Sequence, residues 1–481
     1  MRLFRTKPVN ADYCETPLKR CLSATDLTLL GIGAIIGAGI FVLTGIAAAT
    51  QAGPAIVLSY VVAGLACAFT ALSYAELSAA IGGCGSAYGY AYAGLGEIVA
   101  WIIGWDLILE YGVATATVAI GWSGYVDNAL QAMGLMVPKP LSTANIFAVM
   151  KDILVSFHSA VPQWIAQRAA TGGWINLPAA AVILVLSLLL AAGARESARF
   201  NAIMVVIKLI AIAIFIGVAS FSVKPMYWHP FAPFGWHGIM GGAALIFFAY
   251  IGFDAVSTAA EEAKVPQRDV PIGIVLSLVI CSVLYIVVAG LLTAIVPYKT
   301  LNVPSPVAFS MLQLGHPWAA GLIAAGAIAG LTTVMLVLYY GLTRVFLAMA
   351  RDRLLPPFFS AVHPKTQTPV RVILVCGIVI ALISGFTPIA DVAELVNIGT
   401  LAAFVLVCAG VIVLRRTRPE LPRPFRVPWS PFIPLLGIGF CLYLMFSLPA
   451  ITWARFGIWL IIGLAIYFLY SRHRSTVQMD A

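Results

Sequence analysis

Charge is scarce in this chain. Asp, Glu, Lys and Arg together make up 10% of 481 residues, while 61% are hydrophobic. An ordinary soluble domain carries about 25% charged residues, so this composition excludes a soluble or disordered protein and indicates a polytopic membrane protein. Histidine is scarcer still. His158, His229, His237, His316, His363 and His473 all fall outside the apolar runs. No His/Cys/Asp cluster or nucleophile motif lies within those runs, which argues against a membrane enzyme. Cys14, Cys21, Cys67, Cys84, Cys281, Cys376, Cys408 and Cys441 are scattered singly, with neither metal-ligand nor disulfide spacing. No cofactor is expected. The first 26 residues are polar and basic, without a short apolar segment and cleavage site, so no cleaved signal peptide is expected.

What the chain has instead is long apolar runs. Bounded by Gly, Pro or charge, they give twelve candidate spans between residues 26 and 471. An even number places both termini on one side. With that side cytoplasmic, 20 of the 28 Lys and Arg residues lie inside and six outside, leaving Lys208 and Arg344 within spans. This satisfies the positive-inside rule, so the net charge of +9 reflects topology in a plasma membrane, or the inner membrane of a bacterium, and not a nucleic-acid surface. Residues 1–25 read as a cytoplasmic segment, 26–221 as helices 1–5, 238–414 as helices 6–10, 415–430 as a basic, Pro-rich cytoplasmic linker, 431–471 as a final helix pair and 472–481 as a tail. The long outer loop at 127–174 contains IFAVMKDILVSFHSAVPQWI, whose amphipathic pattern predicts a surface helix.

Two spans carry breaks. GIGAIIGAGIF places Gly31, Gly33, Gly37 and Gly39 inside the first apolar run. Glycine costs up to about 1 kcal/mol per position in a helix interior and lets the backbone leave helical geometry. In hydrocarbon such a break is tolerated only where the freed N–H and C=O groups face protein or a watery cavity. The competing explanation is close helix packing through the Gly33–Gly37 GxxxG pair. A dinucleotide fingerprint fails, because no strand precedes the glycines and position 36 is Ile. Five spans later, FFAYIGFDAV puts Gly252 and Asp254 at mid-depth, and paired interrupted spans in two five-helix halves point to an inverted-repeat transporter.

Ionisable groups inside spans need partners. Asp106 and Glu110, four residues apart, share one helix face. Either they bond a neighbouring helix or they face a pocket. Asp254 either orients the second break by bonding a tyrosine such as Tyr285 or titrates. Lys208 has no acid in its own span. Two readings stay open for it: a permanently charged staple on carbonyls freed at the first break, or a lysine that exchanges a proton.

The runs LKRCLSATDLTLLGIGAIIGAGIFVLTG, GWDLILEYGVA, FNAIMVVIKL, FFAYIGFDAVSTAAEEAK, PQRDVPIGI and GLTTVMLVLYYGLTRVFLAMARD resemble the cationic amino acid transporter branch of the amino acid/polyamine/organocation superfamily. The resemblance covers nearly the whole chain. It implies an all-α, twelve-helix LeuT-type fold with a 5+5 inverted repeat, broken helices 1 and 6, and two extra C-terminal helices. It implies an L-amino acid substrate whose carboxylate takes N–H groups near Ile35, Gly37 and Gly39. The substrate ammonium takes carbonyls near Phe248, Ala249 and Ile251, with Phe248 as a gate. It further implies that Lys208 stands where sodium-coupled relatives hold an ion, with Thr332 or Thr333 as hydroxyl partner and a proton as coupling ion. Leu338 faces the substrate side chain and favours small or medium neutral amino acids, whereas Glu110 near the pocket would favour cationic ones. The expected function is proton-coupled import. The alternatives are arginine/lysine transport or exchange and, from another class, a non-transporting sensor. Gly82, Val265 and Arg353 depart from the family pattern, which has proline, asparagine and glycine there.

Overall fold

The glycine-rich run is helical to Ile35, leaves the helix at Ile36 and Gly37, and turns helical again from Ala38. Helix α1 (Ala24–Ile35) starts on a reciprocal cap, in which the Ser23 hydroxyl accepts from the Asp26 N–H at 3.3 Å and the Asp26 carboxylate accepts from the Ser23 N–H at 2.9 Å. It ends where Ile36 adopts extended backbone. The computed structural model describes residues 4–7, 20–81, 85–132, 134–135, 137–142, 151, 155, 174–303, 305–387, 389–446, 448 and 450–475. Most of the expected outer-loop surface helix, and Gly82, lie outside these residues.

Every regular element among the described residues is helical, apart from one β-bridge between Leu22 and Ala263. Eight helical stretches are long and apolar enough to cross a membrane, and Leu177–Ala192, Val370–Phe386 and Phe432–Phe446 are shorter apolar helices. Backbone groups satisfied inside each helix are what hydrocarbon requires, so this is an all-α polytopic membrane protein. The first stretch, Ala24–Ala80, is 57 residues long. A straight helix of that length would extend about 85 Å, nearly three times the hydrocarbon thickness. It is divided instead. After Ile36 the chain runs through π-helical and α turns to Ala52, and Gly53, at φ +62°, with Pro54 redirects it into α2 (Ile56–Ala80).

The remaining long elements are α3 (Ala87–Gly94), α4 (Glu97–Ala132), α5 (Leu177–Ala192), α6 (Ala194–Ser220), α7 (Gly235–Ile246), α8 (Pro266–Ile295), α9 (Pro306–Gln313), α10 (Pro317–Arg351), α11 (Val370–Phe386), α12 (Ile389–Thr417), α13 (Phe432–Phe446) and α14 (Ala450–Leu469). Proline opens α8, α9 and α10, where its fixed φ suits the first turn and its missing N–H costs nothing. α7 gives way to a 3-10 turn at Phe247–Tyr250, then to extended Ile251 and to Gly252 at φ +116°, before a short turn at Ala255–Thr258. Both glycine-marked spans are therefore interrupted.

Each glycine of the first interruption admits a different neighbour. A Cβ on Gly31 would fall 2.4 Å from Ser277 of α8, on Gly33 2.4 Å from Asn201 of α6, on Gly37 2.5 Å from Val334 of α10 and on Gly39 2.1 Å from Ala249. Close packing and a helix break, weighed as alternatives from sequence, coexist here.

The last helix is fastened by tryptophan. Trp105 and Trp459 stack at 4.4 Å and exchange indole-to-carbonyl bonds of 2.9 and 3.1 Å, and Trp101 donates to the Gly463 carbonyl at 2.9 Å. A Cβ on Gly463 would come within 2.3 Å of the Trp105 ring. Overpacking of this kind costs about 1–3 kcal/mol. Gly463→Val is expected to lower the thermal unfolding temperature in detergent, and an unchanged temperature would show that this contact does not hold α14.

Candidate functional site

The two interruptions meet, and three side chains bind their loose ends. A helix leaves its last carbonyls without intrahelical partners. Lys208, fully buried on α6, reaches this end of α1: its ammonium donates to the carbonyls of Ile32 (2.9 Å), which also accepts from the Ile36 N–H, of Gly33 (3.0 Å) and of Ile36 (2.9 Å) just past the helix, and to the Thr333 hydroxyl of α10 (2.9 Å). Thr333 also donates to Gly33 and Gly330. An ammonium inside a membrane protein is costly unless its N–H bonds are all received. Here four oxygens receive three of them. Thr332, one position and about 100° round the helix, faces away and accepts from the Trp122 indole at 3.0 Å.

Tyr285 of α8 joins the breaks to each other. Its hydroxyl lies 2.6 Å from the Ile35 carbonyl and 3.0 Å from that of Ala249. The expected pairing of Tyr285 with Asp254 is therefore corrected: Asp254 accepts instead from Tyr111 of α4. Ile35 also changes role. Its N–H belongs to the ladder of α1 and its carbonyl is occupied, so the main-chain donors at the start of the next helical segment belong to Gly37 and Gly39.

A cavity of about 10 Å³, room for a single water, lies between the breaks. Ile35, Gly37, Gly39, Phe248, Ile251 and Leu338 line it, joined by Ala114 and Val118 of α4 and Val334 of α10. Ala249 packs directly on Gly39. One wall thus presents the first N–H groups of a helix, where partial positive charge gathers, and the opposite wall presents the end of a 3-10 turn with its carbonyls. The remaining wall is aliphatic. Such a site suits a small molecule carrying an anionic group, a cationic group and an apolar side chain.

Glu110 is not part of that lining. It is fully buried, and neither carboxyl oxygen has a hydrogen-bond partner among the described residues. Asp106, 2% exposed, has one oxygen in the same condition and packs beside Gly399 of α12. These acids, with Asp254, lie behind the cavity wall on α4 and after the second break.

At the end of the bundle where α1 begins, the structure adds residues that sequence reading passed over. Arg344 of α10 and Glu262, each 1% exposed, pair at 2.6 Å. Tyr340 donates to the other Glu262 oxygen at 2.6 Å, and the guanidinium lies 4.0 Å from the Tyr340 ring centre. The Glu262 carbonyl accepts from the N–H groups of Cys21 and Leu22, and the Lys264 N–H donates to Leu22. This closes the bundle below the cavity. Removing one partner of a buried ion pair costs about 3–5 kcal/mol, because the other is left desolvated. Glu262→Ala should therefore unfold at a markedly lower temperature, with the Glu262→Leu/Arg344→Leu double variant recovering most of the loss; equal stability of the single variant and wild type would refute this.

The comparisons with known proteins agree with this architecture. A family model described as amino acid permease matches residues 22–468. The chain is 48% identical over 481 residues to the branched-chain amino acid permease BcaP of Bacillus subtilis (strain 168), covering 99% of both. It is 47% identical over 479 residues to the methylthioribose transporter of the same organism, again covering 99% of both. Over 425 residues it is 37% identical to human cationic amino acid transporter 4, covering 88% of this chain and 64% of that protein. A match that runs from α1 to α14, over a helical bundle with two facing interruptions, makes this chain a member of the amino acid permease family within the amino acid/polyamine/organocation superfamily, a membrane transporter and not an enzyme.

Proposed function

We propose that the protein imports a neutral L-amino acid with a proton by alternating access. The observation that carries this reading is the Lys208 cage, in which a lysine without an acid partner clasps the carbonyls freed at the first break and the hydroxyl of Thr333. While protonated, Lys208 binds the inner half of α1 to α6 and α10. Once neutral it keeps only two N–H bonds, so the clasp weakens and the equilibrium between the two access states shifts. If Ala24–Ala80 is taken as two spans and the three shorter apolar helices as one each, the chain crosses twelve times in a LeuT-type 5+5 arrangement, with cytoplasmic termini.

In this reading the substrate carboxylate takes the N–H groups of Gly37 and Gly39. The substrate ammonium takes carbonyls from Phe248, Ala249 and Ile251, and Phe248 closes over the site. The side chain enters among Ala114, Val118, Val334 and Leu338, where a guanidinium would lose its water and find no acceptor. The position of Glu110 outside this lining supports a neutral substrate over a cationic one. A branched aliphatic or thioether side chain fits, in keeping with the relative named for branched-chain amino acids. A second reading follows from the relative named for methylthioribose, whose methylthio group suits the same wall. That sugar has neither carboxylate nor ammonium for the main-chain groups, which favours the amino acid.

Uptake into proteoliposomes tests the proposal, using labelled leucine, isoleucine, valine and methionine beside arginine and methylthioribose. An inward proton gradient should drive accumulation of the neutral amino acids, and Lys208→Ala should abolish accumulation. Uptake indifferent to the gradient, with full counterflow, would mean exchange or facilitated transport. Preference for arginine or methylthioribose would overturn the substrate assignment.

A further inference from the structure

Ser197, Asn201, Val205 and Lys208 recur along α6 at steps of three and four, and all four are buried, so they form one stripe turned into the bundle. Beyond Lys208 this stripe borders a second cavity, separate from the one between the breaks. Leu22, Leu30, Leu190, Leu336, Asn201 and Tyr340 line it. Its walls are mostly aliphatic, but Asn201, 2% exposed, carries an amide oxygen with no hydrogen-bond partner among the described residues. The amide nitrogen donates to the Leu29 carbonyl at 3.1 Å. The amide oxygen lies against Gly33, where an added Cβ would sit 2.4 Å from it. The carbonyl of that same Gly33 receives Lys208 and Thr333. On the far side of the cavity Tyr340 reaches Glu262, which is held by Arg344. One residue of α1 therefore separates the lysine cage from an apolar chamber that leads to the buried ion pair.

Building on the proton-coupled reading above, we infer that this chamber is the route by which the Lys208 proton leaves toward the end of the bundle where α1 begins, and that Asn201 is the positioning residue that seats its first water. The Lys208 ammonium gives its proton to that water. The amine left behind keeps the bonding electron pair and accepts from the Thr333 hydroxyl, while the hydronium is stabilised by the uncharged Asn201 oxygen and passes on. Reprotonation comes from the opposite side in the next cycle. The leucines make the chamber unfavourable to water while it is closed and so oppose a leak, in the way apolar constrictions gate pores by dewetting. Separation of Leu22 from Glu262 admits water. The groups that face this path are Cys281 from α8, Thr333 from α10 and the α1 carbonyls at the lysine, with Tyr340, Glu262 and Arg344 at the exit.

The test compares wild type, Asn201→Leu, Asn201→Ser and Ala198→Leu, the last filling the chamber from a neighbouring position on α6. Proteoliposomes loaded with pyranine report proton entry while labelled L-leucine reports both counterflow and gradient-driven accumulation. Counterflow needs no proton release, so Asn201→Leu and Ala198→Leu should exchange within twofold of wild type yet lose at least tenfold in accumulation and acidification, and Asn201→Ser should keep both. Normal accumulation by both leucine variants overturns the route and leaves the coupled reading intact. Parallel loss of counterflow and accumulation in all three variants shows a purely structural residue and also overturns it. A wild type indifferent to the gradient overturns the coupled reading and the route together.

Discussion

A buried lysine ammonium with no carboxylate partner among the described residues must be surrounded by other oxygens, and the rest of this fold is arranged around that requirement. Two acceptors of Lys208, the carbonyls of Gly33 and Ile36, are available because α1 stops at Ile35, and a third, that of Ile32, is shared with the Ile36 N–H. The break in turn is tolerable only because the lysine, Thr333 and Tyr285 donate to the carbonyls there, away from lipid. Cation and break satisfy each other. Neither would persist alone in hydrocarbon.

The glycines let this happen at close quarters. Four helical neighbours approach the first break, and at Gly39 the approach is to the backbone of Ala249 itself, so the two interruptions are in direct contact. Tyr285 then spans the contact with one hydroxyl. A ligand that enters between the breaks must part surfaces that now leave room for one water, and the buried pair Glu262–Arg344 holds the bundle shut beneath. The site and the closure are thus mechanically linked through α1, because Cys21 and Leu22 just before it are stitched to residues 262–264.

Much of this was legible in the sequence because it rests on local pattern. Apolar runs gave the helices, glycine density marked both interruptions, and a lone lysine in an apolar span announced a need for carbonyls. What escaped depends on side chains meeting across the fold. Nothing local distinguishes Thr332 from Thr333, yet the helical turn between them sends one to Trp122 and the other to Lys208. The sequence suggests Tyr285 as the partner of Asp254, and only the packing of α4 and α8 gives that place to Tyr111. Arg344 and Glu262 lie 82 residues apart, so no local pattern announces their pairing. Four-residue spacing puts Asp106 and Glu110 on one helix face without saying what that face meets, and Glu110 is absent from the cavity lining.

The central claim is that charge on Lys208 holds the inner half of α1 against α10. Spin labels on Thr25 and Phe358, both exposed at that end of the bundle, would read the separation by double electron–electron resonance. The account predicts a short, narrow distance distribution in wild type and a longer, broader one in Lys208→Ala. An identical distribution in the two proteins would contradict it.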